Sequence, residues 1–459
     1  MTYSTATEQI EALRTRKISA VELFDQTVRR IEHLDTTVNA IVIRDFERAR
    51  ADARAADVAL FRGDRRPLLG LPMTVKEAFN VAGLPTTWGL PGTDAIPVRA
   101  DAVVVERLRA AGAIIIGKSN IAAMLADWQS ANPVYGVTRN PWDLNRSPGG
   151  SSGGGAAALA AGFVALEFGS DLASSLRAPA AFCGVYAHKP TFGIVSNRGF
   201  APPGTPTMTT MPFIDMAVVG PMARSAGDLA LALAVAAGPD LRYAVGWRLK
   251  LPSARHKRLR DFRVLVLTDH PRIPTAGSVR TALDVRAEAL EAAGCRVSRE
   301  RHHLPDLGAI TDTFSELLNA SFAAEAPNST ARHADWIRAD RRRAEIADQW
   351  RGLYEDFDVV LCPAMPTTAP MLNPPSGPPA TIQIDGQSVP YGAQPLWGAL
   401  ATLTGGPATA APMGLDGDGL PIGAQVLGPF LGDRTTIAFA AAMEAAFGAI
   451  NPPSGWSTA

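Results

Sequence analysis

The sequence predicts an α/β protein built on one large, mixed, mostly parallel twisted β-sheet covered by helices on both faces. Three observations carry this. Short apolar runs alternate with helix-like runs over most of the 459 residues, the pattern of strands joined through helices. Hydrophobic residues make up 47% of the chain and charged ones 19%, ample for a large buried core and too apolar for a disordered protein. No internal repeat or domain linker breaks the alternation, so residues 1–459 read as a single domain.

The elements follow in order. Residues 1–65 read as an N-terminal helical region: "TATEQIEALRTRK", then "SAVELFDQTVRRIEHLD", where Ser19 and Glu22 have capping-box spacing, then "ERARADARAADVALFRG" after "AIVIRDF". Residues 70–195 read as the catalytic core segment. There the strand-like "LPMTVK" and "AIIIGK" flank the helical "ADAVVVERLRAAG", and "GFVALEFGSD" follows an alanine run. Further on, "FRVLVLTD" precedes the helical "VRTALDVRAEALEAAG", and "DFDVVLCPA" precedes the C-terminal elements. The run "RADRRRAEIADQWRGLYED" reads as a solvated helix face. Residues 196–260 and 363–395 contain "APPGTPTMTTMP" and "PTTAPMLNPPSGPPA", expected to be long surface loops that shape a cleft.

Charge and cysteine usage exclude several functions. Lysines plus arginines number 44 and acids 44, so no net field favours nucleic acid or an anionic membrane. The N-terminus lacks the apolar core of a signal peptide, and no run reaches the roughly 18 apolar residues of a membrane span. Cys183, Cys295 and Cys362 are widely spaced and odd in number. Reduced thiols, a cytoplasmic setting and no metal or other cofactor are the expectation.

The stretch "SPGGSSGGGAAALAAG", residues 147–162, is the strongest local signal. A flexible linker fits poorly, because the glycines run straight into a helix-forming alanine segment. A phosphate cradle would use free N–H groups at a helix start, but no lysine follows as the P-loop pattern requires. A catalytic loop needs a base, since a serine hydroxyl is inert until its proton is taken. His188 is one candidate, although a lone histidine before "KPTFG" reads as structural, and no G-x-S-x-G elbow accompanies it. Lys76 is the other. It ends the apolar run "LLGLPMTVK", where burial disfavours the charged amine and lowers its pKa.

Residues 149–191, "GGSSGGGAAALAAGFVALEFGSDLASSLRAPAAFCGVYAHKPT", closely resemble the amidase signature. That pattern is glycine-rich with a double serine, then G-[ST]-D-x-x-x-S-[IL]-R-x-P-A and G-x-K-P-T. "GLPMTVKEAFNVAGLPTTWG", "NPWDLNRSPGGSSGG", "VVGPMARSAGDLALAL" and "GLPIGAQVLGPFLGDRTTIAFAAAMEAAF" extend the resemblance over most of the chain. It implies the amidase signature fold and a serine hydrolase that cleaves C–N bonds. Matched position by position, Lys76 is the base, Ser151 the serine on a cis peptide, and Ser175 the nucleophile, with intervals of 75 and 24 residues. It further implies an oxyanion hole from the main chain of Leu172, Ala173, Ser174 and Ser175. Ser152, Asp171 and Arg177 would support this group from behind.

One departure stands out. Most members carry two glycines where this chain has Ala173 and Ser174, so the hole is expected to survive but to be narrowed. Met124, Trp128, Phe200, Met208, Met211 and Phe213 are candidate pocket walls, which suggests an apolar or aryl group on the substrate. Hydrophobic or aryl amides are the expected substrates, with carbamates and esters as further ones. The alternatives are a glutaminase subunit of a tRNA-dependent amidotransferase and a non-catalytic binding protein. The expected partner is the small-molecule amide or carbamate, with no nucleic acid and no membrane; a homodimer is compatible with the sequence.

Overall fold

The computed structural model describes every residue except 94–95, 206–214, 301, 324–329, 375–376 and 457–459. One eleven-stranded sheet forms the frame. From edge to edge its strands are Ile41–Arg44, Ile114–Ser119, Pro72–Lys76, Leu166–Asp171, Val218–Ala223, Tyr186–Lys189, Ala408–Leu415, Pro421–Leu427, Val359–Pro363, Arg263–Val266 and Arg296–Ser298. The sheet is mixed, as expected.

Parallel pairing occupies two blocks. In the first, Pro72–Lys76 lies parallel to both Ile114–Ser119 and Leu166–Asp171. In the second, Arg263–Val266 lies parallel to both Val359–Pro363 and Arg296–Ser298. Helices make the crossovers that parallel pairing needs: Val103–Ala110 and Gly153–Ala160 in the first block, Gly277–Ala292 in the second. The middle of the sheet and the Ile41–Arg44 edge pair antiparallel; for Ala408–Leu415 and Pro421–Leu427 the short turn between them allows nothing else.

Helices cover both faces, and side-chain alternation shows it. Ile114 and Ile116 pack with the alanine helix Gly153–Ala160 and the N-terminal helices. Ile115, Met73 and Val75 point into the other core cluster. The capping box forms as predicted: Ser19 Oγ accepts from Glu22 N, and Ser19 N donates to the Glu22 carboxylate. Helix His333–Asp356 carries the arginine-rich run on its solvent side and buries Ile346, Trp350 and Leu353. All three cysteines are free and buried. Among the described residues no helix is long and apolar enough to cross a membrane.

Three segments hold more structure than the sequence suggested. Residues 1–65 contain the edge strand Ile41–Arg44 as well as helices. Residues 196–260 contain strand Val218–Ala223, at the middle of the sheet, and helix Ala226–Ala236. Pro221 makes that strand read as loop, yet it pairs with Phe168 because the strand is fully buried among apolar neighbours. Residues 363–395 contain a small hairpin, Thr381–Ile384 with Gln387–Pro390.

Candidate active site

Two adjacent parallel strands deliver the first polar groups from their C-terminal ends. Pro72–Lys76 is buried throughout and sets Lys76 at its C-terminal end with no solvent exposure. Leu166–Asp171 ends beside it and supplies Ser170 and Asp171. Lys76 Nζ lies 2.7 Å from Ser151 Oγ and 2.9 Å from Ser170 Oγ and donates to both. Burial holds its pKa down to about 7, with the charges of Asp171 and Glu167 opposing the shift. Beneath it, burial pushes Glu167 up to about 8 although Thr74 and Ser119 hydroxyls bond to its carboxyl.

The glycine-rich loop threads across these strand ends. The Gly150–Ser151 peptide is cis. A Cβ at Gly150 would sit 2.3 Å from the Asp127 carbonyl, and one at Gly154 would sit 2.4 Å from Asn120 N. Close backbone approach therefore requires glycine at both positions. The loop then enters helix Gly153–Ala160, which is buried along its whole length.

Asp171 and Arg177 shape the next turn. Arg177 Nη2 and Nε reach the two Asp171 oxygens at 2.8 and 2.9 Å, and both side chains are buried. The remaining Arg177 donors go to Gly398 O, Gln425 Oε1 and Thr402 Oγ1. Asp171 also accepts from the amides of Ser174 and Leu176, so one carboxylate gathers the whole 171–177 turn. Burial works to raise the Asp171 pKa, but the Arg177 guanidinium holds it below the usual carboxylate range.

This corrects one expectation. The Ser174 amide is committed to Asp171 and is not available to an oxyanion. The amides of Leu172, Ala173 and Ser175 donate to no partner among the described residues. Ser174 itself adopts φ +71°, the left-handed backbone that a glycine would take without cost, whereas Ala173 has negative φ. Ser152 Oγ donates to Ser170 O and its amide to Ser175 O, so it braces the turn that carries Ser175.

Ser151 and Ser175 line one pocket of about 200 Å³, together with Ser170, Asp171, Leu172 and Ala173. Met124, Trp128 and Phe200 line it as well. Met208, Met211 and Phe213 lie outside the described residues. Sequence reasoning missed Asp127, Leu318 and Phe322 as walls, and missed Ser170 as a second contact of Lys76. Ser170 was findable, being the [ST] of G-[ST]-D. Trp128 Nε1 donates to Ala173 O at 3.0 Å and ties the wall to the turn. No hydrogen bond joins Ser151 Oγ to Ser175 Oγ among the described residues. His188 is structural, buried between Thr409 Oγ1 and Asp433 Oδ1.

The amidase family model matches residues 22–332 and 306–437. This chain belongs to the amidase family. Among its relatives, the AtzE component of the 1-carboxybiuret hydrolase of Pseudomonas sp. (strain ADP) is 34% identical over 447 residues, covering 92% of this chain and 93% of that one. A glutamyl-tRNA(Gln) amidotransferase chain of Chromobacterium violaceum is 30% identical, covering 94% and 95%. In fold, the amidase resembles a bacterial aryl acylamidase of the amidase signature enzymes, with TM-score 0.85 over 97% of this chain and 96% of that one, at 23% identity. The protein is a hydrolase acting on amides.

Proposed function

We propose that this amidase cleaves hydrophobic or aryl amides through an acyl-enzyme on Ser175, with Lys76 as base and Ser151 as relay. The Lys76–Ser151 contact supports the reading most directly: a buried amine whose pKa is lowered to about 7 sits 2.7 Å from a hydroxyl in the substrate pocket. An ordinary lysine, near pKa 10.4, would be almost wholly protonated at neutral pH and useless as a base.

Neutral Lys76 accepts the Ser151 proton, with Ser170 Oγ holding the amine in place. Ser151 takes the proton of Ser175. Ser175 Oγ attacks the carbonyl carbon, and free amides of the 172–175 turn stabilise the oxyanion, one such donor being worth roughly 2.7–4 kcal/mol. The relay reverses as Ser151 protonates the departing nitrogen, which would otherwise leave as a poor amide anion. Water activated by the same relay then releases the acid. Asp171 and Arg177 hold the turn in this geometry. Carbamates and esters offer the same electrophile and are proposed as further substrates.

A second reading is a component of an amidotransferase complex, favoured by the identity to such a chain. The purified protein separates the two. Hydrolysis of an anilide or a p-nitrophenyl carbamate by the chain alone, with a fluorophosphonate labelling Ser175, is expected. Turnover only of glutamine, and only with added partner chains, would establish the second reading. Wild-type turnover by Lys76→Ala would exclude the proposed base.

A further inference from the structure

We infer that Asp127 is a specificity residue, and that the pocket selects substrates carrying a second nitrogen with an N–H to donate. Two carboxylates line the catalytic pocket. Asp171 is neutralised by Arg177 and turned toward backbone amides. Asp127 is different. Its Oδ1 accepts from Tyr391 OH at 2.6 Å and from its neighbour's amide, Trp128 N, at 2.7 Å; its Oδ2 accepts one long bond, 3.3 Å, from Asn373 Nδ2. Every donor is neutral, and no arginine, lysine or histidine among the described residues forms an ion pair with it.

A half-buried carboxylate with no cation is costly where the rest of the wall is Met124, Leu125, Trp128 and Phe200. Burial accordingly raises its pKa, opposed only by those neutral hydrogen bonds. The three donors fix the group without saturating Oδ2, which leaves acceptor capacity at the wall. Trp128 follows directly in sequence and bonds to Ala173 O, so this wall is tied to the turn that carries Ser175. An apolar pocket with one fixed, unsaturated acceptor orients a ligand by an N–H, whether neutral or protonated. Fixing the substrate there would set its carbonyl relative to Ser175.

The inference rests on the proposed nucleophile, so the test reads turnover and binding separately. Turnover uses p-nitroanilides of one length, ending in an ammonium, a formylated amine or a methyl group, with the variable end on the acyl side in one series and on the ring in another. In at least one series the wild-type kcat/KM for an N–H-bearing member should exceed the methyl member on the order of 10- to 100-fold. The two N–H arms tell charged from neutral nitrogen. In Asp127→Ala, with folding checked by circular dichroism, that ratio should fall to about one. In Tyr391→Phe, which keeps the carboxylate, the ratio should persist; this separates contact with substrate from tethering of the Tyr391 segment. Binding of the same members to Ser175→Ala, measured by calorimetry, should show the same preference without needing turnover. Equal treatment of N–H and methyl members by the wild-type protein, in turnover or in that binding experiment, overturns the inference. So does a preference that survives in Asp127→Ala.

Discussion

Ser174→Gly is expected to stabilise the protein, against the usual trend for glycine substitutions. Ser174 holds φ +71°, which costs a non-glycine residue roughly 1–2 kcal/mol. Its Oγ is fully buried and makes no hydrogen bond with the protein, a further cost of about 1–3 kcal/mol. Against these stand about 0.5–1 kcal/mol for the greater freedom of an unfolded glycine and about 1 kcal/mol for the lost side-chain burial. The balance is a gain of about 2 kcal/mol. A chain of this length has an unfolding entropy that converts it to roughly 1 °C per kcal/mol, so Tm should rise by roughly 2 °C in calorimetry. Ser174→Ala removes the unpaired hydroxyl but keeps the strained φ, and on the same terms should gain about as much as Ser174→Gly. The neighbour makes the test sharper. A Cβ on Gly398 would lie 1.9 Å from Ser174 Oγ, so Gly398→Ala should destabilise the wild-type chain and recover most of that loss in the Ser174→Gly background. A lower Tm for Ser174→Gly would refute the strain, and additive effects in the double variant would refute the contact.

Lys76 ties activity and stability to one titration, so both rise with pH, whereas its removal moves them in opposite directions. With its folded pKa at about 7, kcat/KM should rise with pH through that region, as the neutral base forms. The unfolded chain keeps the proton up to about pH 10.5, so the folded protein gains stability as pH rises from 7 to 10.5. Lys76→Met should abolish that rise, inactivate the enzyme, and add stability on the order of 5 kcal/mol at neutral pH, read by denaturant titration. Removing one member of the buried ion pair acts the other way. Arg177→Met leaves Asp171 charged and dry and should cost about 3–5 kcal/mol, with the 171–177 turn losing protection in hydrogen exchange.

Much of the architecture was legible because its signals are local. The run "LPMTVK" is apolar and short, so it forms a strand, and Ser19 with Glu22 caps a helix through contacts three residues apart. Strand Val218–Ala223 was not legible: Pro221 argues against a strand, and only pairing with Leu166–Asp171 and Tyr186–Lys189 overrides it. The same division runs through the site. The resemblance to the amidase signature nominated Lys76, Ser151 and Ser175, and the glycines around Ser151 signalled close backbone approach. They could not show that the Ser174 amide is spent on Asp171, because that depends on how the turn folds back on its own carboxylate.

By itself, then, the sequence determined most of the elements, the family resemblance and the chemical types at the site, since each is written within short windows of the chain. Tertiary structure alone decided which hydroxyls meet the lysine, how dry that lysine is, and that Asp127 stands uncompensated in the pocket wall. The reason is physical. Desolvation and charge compensation depend on what surrounds a group in space, and the groups that surround Lys76 and Asp127 lie up to 264 residues away along the chain.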